Sequence, residues 1–191
     1  MHASLRQHIE KFIEFNDGEM LHLLSCFRSI QLKKKQYLLE EGKICKDNYF
    51  VVKGCLRLFF INEKGIEQTT QFAIENWWLS DYSSFDTQQP SGFNIQAVEP
   101  TEVIAIGRKE QESMLQQHPA MERYFRIMHQ RANAAAQFRI KLLYSLSREA
   151  MYLQFNKKFP EFVQRVPQYL LASFLGITPE YLSEIRSKKL S

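Results

Sequence analysis

Gln168-Tyr-Leu-Leu-Ala-Ser-Phe-Leu-Gly-Ile-Thr-Pro-Glu-Tyr-Leu-Ser-Glu-Ile-Arg-Ser-Lys188 is the stretch on which the reading of this chain turns. Two short helices that cross steeply around a tight turn ask for a particular residue at each place. Ala172 is small where the second helix lies close to the first. Gly176 falls at the turn, where a left-handed backbone is cheap only for glycine. Thr178 can cap the second helix and Pro179 suits its first position. Leu171, Leu175, Ile177, Leu182 and Ile185 fall on the inward faces, spaced to bury the pair. Any helical hairpin can carry the glycine alone. The joint match points to a helix-turn-helix.

In such a pair the second helix enters the major groove of DNA by its N-terminal end. The residues that then face base edges are Thr178, Pro179, Glu180, Ser183 and Glu184. A glutamate can accept from cytosine N4, and a serine can read more than one base. Gln168, Arg186, Lys188 and Lys189 are placed for phosphates, which position a protein without reading sequence. Two glutamates near a polyanion also repel it, so pairing of one of them with a basic neighbour stays open.

Charge supports a polyanion partner at this end. From Gln137 onward nine Lys and Arg stand against four acidic residues, whereas the preceding part holds sixteen against seventeen. The whole positive excess of the chain lies in its last quarter, although a solvated basic tail would give the same count.

Working outward, the residues before the motif read as one long helix from Ala120 to Tyr144 without Gly or Pro. Met121, Phe125, Met128, Ala132, Ala135, Arg139 and Leu142 alternate steps of four and three, an a/d seam. Packing on the chain's own core is the competing reading. The small residues from Asn133 to Ala136 and the helix length favour a dimer helix. A shorter helix follows over 145–157 with Ser145 and Ser147 as caps, and Phe159-Pro160 breaks the chain. Upstream, Leu5, Ile9, Phe12 and Ile13 mark a helix, and Asp17 is a cap for a second through Leu21 and Leu24. Between Ser29 and Ile106 short β-branched and aromatic segments cover 37–39, 49–52, 56–61, 66–73, 93–98 and 103–106. Turn signals at Gly42, Gly54 and Gly65 separate them, which predicts a compact antiparallel roll or barrel.

In that order of parts the chain resembles the cyclic-AMP receptor protein/FNR (Crp/Fnr) family of bacterial regulators. Gly42, Gly54 and Gly65 sit where the family's β-roll has turn glycines. Tyr49-Phe-Val-Val-Lys-Gly-Cys-Leu-Arg-Leu58 is similar to its strand-glycine-strand signature, and Gly176-Ile-Thr-Pro-Glu-Tyr-Leu-Ser183 looks like the start of its recognition helix. The resemblance implies an α+β protein: an N-terminal β-roll effector domain of the double-stranded β-helix type (1–119), a dimerisation helix (120–144) and a helix-turn-helix domain (145–191). It further implies a cytoplasmic, homodimeric regulator that reads a palindromic site on double-stranded DNA and works with RNA polymerase. The dimer residues would be Met121, Phe125, Met128, Ala132, Ala135 and Leu142.

The departures from the family are as informative. Cyclic-nucleotide binders use a Gly-Glu pair for close approach and the ribose hydroxyl, and an Arg-Ser or Arg-Thr pair for the phosphate. Alignment puts Ser80-Asp81 and Ser91-Gly92 in those places, and 77–97 contains no Arg or Lys. A buried phosphate without a cation is costly, so the pocket reads as degenerate and cyclic AMP is not the expected effector. The effector stays open, and the aromatics around Trp77, Trp78, Tyr82 and Phe85 read as core or as a pocket lining. Cys26, Cys45 and Cys55 cannot hold the FNR iron–sulfur cluster, form no zinc pattern, and fit a reducing compartment. No cofactor or metal is expected. The chain stops soon after Lys188, so the family's β-wing is expected to be missing. No run of residues is apolar enough to span a membrane. An enzyme on a cupin-like roll would need clustered ligands on strands, and no histidine falls between Ser29 and Gly107. The remaining alternative is a ligand- or protein-binding roll whose terminal helices have lost DNA binding.

Overall fold

A computed structural model of the protein describes residues 2–188. These divide into two compact units: the chain up to Phe60 with Gln71–Gln130, and Ile61–Thr70 with the chain from Arg131 onward.

The first unit is built around an antiparallel β-roll. Helices α1 (Ala3–Glu10) and α2 (Asp17–Ser25) lead into β1 (Arg28–Leu32), β2 (Tyr37–Leu39), β3 (Asp47–Lys53), β4 (Leu56–Ile61), β5 (Glu67–Ala73) and β6 (Trp78–Leu79). Helix α3 (Tyr82–Thr87) then precedes β7 (Asn94–Ala97), β8 (Thr101–Gly107) and α4 (Arg108–Gln117). The strands form two four-stranded sheets, ordered β1-β8-β3-β6 and β2-β7-β4-β5. Register follows the apolar alternation: Leu56 pairs with Ala97 and Leu58 with Ile95. All four therefore point into one core with Val51, Leu79, Phe85 and Val103, and a slip of one residue would turn every one of them outward. The expected roll is present. At the β3–β4 turn Gly54 has φ 102°, and a Cβ there would lie 2.7 Å from the Cα of Thr101. Only glycine fits both the backbone and the space.

Helix α2 starts one residue earlier than Asp17 suggested. Asn16 is its cap: its Oδ1 accepts from the Glu19 amide at 2.9 Å, and the Glu19 carboxylate accepts from the Asn16 amide at 3.2 Å. This reciprocal capping box satisfies two amides that the first turn leaves without helical partners. Helices α1, α2 and α4 bury Leu5, Ile9, Met20, Leu23 and Met114 against Phe50, Trp78, Ile104 and Ile106 of the roll.

The long helix α5 (Ala120–Ser145) roots in that same core. Met121, Tyr124 and Phe125 are buried in it and Met128 packs against it. At the centre Trp78 Nε1 donates to the Tyr124 hydroxyl at 2.9 Å, and that hydroxyl lies 2.7 Å from His8 Nδ1. Burial pushes the Tyr124 hydroxyl well above the ordinary tyrosine range, so it stays neutral and serves as a relay for two buried polar groups.

In the second unit α6 (Arg148–Lys158), α7 (Pro160–Arg165), α8 (Gln168–Leu175) and α9 (Pro179–Lys188) follow α5. Ser147 caps α6, accepting from the Ala150 amide at 3.2 Å, whereas Ser145 is still part of α5. Pro160 does more than break the chain: it opens α7 at the first position, where a missing N–H costs nothing. Met151, Tyr152, Val163, Leu171, Leu175, Leu182 and Ile185 form this unit's core.

The Tyr124 relay gives a test. Tyr124→Phe removes the acceptor for Trp78 Nε1 and the partner of His8 Nδ1 without changing the shape of the core. We expect it to lower stability by about 1–3 kcal/mol, read as a fall in the urea midpoint followed by Trp fluorescence.

Candidate nucleic-acid interface and effector pocket

The helix α8–turn–α9 segment has the local geometry its sequence asks for. Gly176 ends α8 in the left-handed region at φ 67°. The Ile177 amide donates back to the Ala172 carbonyl at 3.0 Å, and the Gly176 amide to Ser173 at 3.2 Å. This wrap satisfies the last carbonyls of α8. Thr178 Oγ1 then accepts from the Tyr181 amide at 3.2 Å, so the predicted cap is formed. Leu171, Ala172, Leu175, Leu182 and Ile185 are buried, and Ile177 is half-buried.

The opposite face of α9 presents Thr178, Pro179, Glu180, Ser183, Glu184 and Ser187 to solvent. The structure thus gathers the five base-facing candidates on one exposed surface. Among the charged candidates, Glu184 pairs with Lys188 at 2.7 Å across one helical turn, which draws off part of the repulsion that a bare glutamate would exert on a phosphate. In the amide orientation that satisfies both groups, Gln168 Oε1 accepts from Arg186 Nη1 and, at 3.3 Å, from Arg186 Nε. Gln168 on α8 therefore aims Arg186 on α9. Lys189 lies outside the described residues.

Sequence reasoning missed Arg139 and Ser173. The first occupied a seam position where only packing was expected; the second is an ordinary serine on α8. Arg139 Nη2 donates to the Phe174 carbonyl at 2.7 Å and its guanidinium carbon stands 4.4 Å from the Phe174 ring centre. No local spacing signals either role.

In the first unit, the four positions aligned with a cyclic-nucleotide cassette show how the pocket is filled. Ser80, Asp81 and Ser91 are buried. One oxygen of Asp81 accepts from the amides of Ser83 and Ser84, at 3.1 and 3.3 Å, capping α3. Its other oxygen accepts from Ser91 Oγ at 2.6 Å. A carboxylate buried this far survives only with such donors around it. Here it takes two backbone N–H groups and a serine hydroxyl for itself. Ser91 Oγ in turn accepts from the Phe93 amide at 2.9 Å, and Ser80 Oγ donates to the Asp47 carbonyl at 3.1 Å. Gly92 is exposed, has no positive φ, and a Cβ there would meet nothing within 4 Å. Neither its backbone nor the surrounding protein asks for a glycine.

Around that carboxylate the hydroxyls and the thiol stay neutral. Burial pushes the hydroxyls of Tyr49 and Tyr82 and the thiol of Cys45 upward, so each holds its proton at neutral pH. Among the described residues no three His, Cys, Asp or Glu side chains stand together as metal ligands.

Comparison with known proteins agrees with this layout. Residues 29–118 match the family model of the cyclic nucleotide-binding domain. No curated protein matches the chain. Solved structures do. The c-di-GMP responsive global regulator CLP of Xanthomonas campestris superposes with a TM-score of 0.73 at 15% identity, covering 92% of each chain. FixK2 of Bradyrhizobium japonicum gives 0.69 at 18% identity, covering 85% of this chain and 83% of its own. The Catabolite Activator Protein of Thermus thermophilus gives 0.57 at 19% identity, covering 91% and 83%. Fold and site together define a cyclic nucleotide-binding-type β-roll followed by a long helix and a terminal helical unit. That is the fold of the Crp/Fnr transcription regulators, and the resemblance read from the sequence holds at this level.

If Asp81 is the strut of this region, removing its carboxylate should cost more than removing a surface charge. Asp81→Ala should destabilise the first unit by about 1–3 kcal/mol, and Gly92→Ala should stay within about 0.5 kcal/mol of the parent. Thermal unfolding of both variants checks the contrast.

Proposed function

We propose that the protein is a DNA-binding transcription regulator that works as a homodimer on a two-fold symmetric site. The observation that carries this reading is the α8–turn–α9 pair, with its left-handed Gly176, its Thr178 cap and one exposed face at the start of α9. Thr178, Pro179, Glu180, Ser183 and Glu184 contact bases; Gln168, Arg186, Lys188 and Lys189 contact phosphates. The fold likeness to regulators supports it.

Pairing is assigned to the second half of α5. Met121, Phe125 and Met128 are used by the first unit's core, and Leu142 packs against the second unit's. From His129 to Phe138 every residue is exposed. Ala132, Ala136, Ile140 and Tyr144 recur every fourth residue and are all exposed, which makes one largely apolar stripe with two small side chains at its start. A second copy laid along it would remove that stripe from water. Two copies would then hold their α9 helices about 34 Å apart, one turn of DNA.

In this reading the roll does not answer to cyclic AMP, because Asp81 already uses the donors of the cassette and no cation stands in 77–97.

A duplex selected from a random pool by the pure protein tests the reading. It should be a palindrome, bound with an affinity that falls steeply with salt. Arg186→Ala should weaken specific and non-specific duplex alike and reduce the salt slope by about one. No binding at low salt would leave only the roll as a ligand- or protein-binding module. Millimolar cyclic AMP should change neither the melting temperature nor the affinity, since a ligand that binds only the folded state must stabilise it.

A further inference from the structure

Within the second unit, α8 is fastened to the outer edge of a strand. Strand β5 ends its sheet, so one row of its backbone groups has no neighbouring strand. Residues 67 and 69 point their backbone groups to the same side, as alternate residues of a strand do. Ser173 Oγ donates to the Glu67 carbonyl at 2.7 Å and accepts from the Thr69 amide at 2.9 Å. Arg139 Nη2 reaches the Thr69 carbonyl at 3.4 Å while it donates to the Phe174 carbonyl at 2.7 Å. Two side chains from two helices thus do for this edge what a further strand would do.

The chemistry of the clamp is specific. Ser173 uses both its donor and its acceptor on successive groups of one strand edge. The Phe174 carbonyl lies in the last turn of α8, where carbonyls lack helical partners, and Arg139 supplies one with a charge. Thr69 is buried, so its amide has no water to fall back on if Ser173 is lost. The segment 61–70 is continuous with Gln71–Ala73 of the same strand, which belong to the roll.

We propose that Ser173 and Arg139 are positioning residues for the DNA-reading pair: by gripping the edge of β5 at Glu67 and Thr69 they fix how α8 is held, and through it how α9 meets its base pairs. This rests on the DNA-binding reading above. Neither residue touches the DNA. Their effect falls on discrimination, because aim matters for base edges and hardly at all for non-specific phosphate contact.

The test uses the full chain and the duplex it selects. Ser173→Ala and Arg139→Gln should each weaken binding to that duplex about three- to tenfold, with affinity and salt slope for a random duplex unchanged. Ser173→Thr, which keeps the hydroxyl, should restore selective binding. Hydrogen exchange on the free protein supplies a second readout: in Ser173→Ala the Thr69 amide should exchange faster while the amides of α8 stay protected. Unchanged or tighter specific binding in both variants overturns the proposal. So does an equal loss on selected and random duplex together with loss of α8 protection, which would mark a purely structural role. Should the parent protein bind no duplex at all, the DNA reading falls and this proposal with it; if the parent binds and the variants match it, only this proposal falls.

Discussion

Helix α5 has to serve two masters, and the constraint that makes this workable is its anchorage at Tyr124. The hydroxyl of that residue satisfies Trp78 from β6 and His8 from α1 in the middle of an otherwise apolar core. With Met121 and Phe125 beside it, the first turns of α5 are fixed to the roll by packing and by the need to satisfy buried polar groups. The stretch from His129 to Phe138 is then free to be exposed, because the first turns of the helix already fix it on the roll. The exposed stripe of Ala132, Ala136, Ile140 and Tyr144 follows from that division of labour.

Much of this was legible in the residues. Ala172, Gly176, Thr178 and Pro179 carry local backbone rules, and local rules survive folding, so the α8–α9 turn matches its reading in cap and in φ. Gly42, Gly54 and Gly65 likewise announced turns, all with positive φ. What escaped had no local signature. Helix α4 buries only Met114, so its otherwise polar sequence shows no apolar stripe. Strand β6 is two residues long and is held by register with Tyr49 and Phe50, not by its own pattern. The seam of α5 was read with the right period, yet a period says that a face is buried and not what covers it. Met121 and Phe125 turn to the chain's own core, and the exposed apolar stripe shares only Ala132 with that seam.

The cassette shows the same limit from the other side. Alignment could say that Asp81 and Ser91 stand where a ligand's partners would be. It could not say that they bind each other at 2.6 Å. That bond changes the meaning of the pocket: a segment with no Arg or Lys of its own is also one whose Asp81 and Ser91 are already bound to each other. Asp81 holds this region together from within, through two backbone amides and the Ser91 hydroxyl.

The central claim is that two copies pair through the second half of α5 along the Ala132–Ala136–Ile140 face. Cysteine cross-linking tests it most directly. Under mild oxidation Ala136→Cys should form a disulfide-linked dimer, since residues facing each other across a two-fold axis bring their Cα atoms to within about 7 Å. Ala134→Cys, about 200° around the same helix, should stay monomeric on the gel. No cross-link at position 136, or equal cross-linking at both positions, would contradict the account.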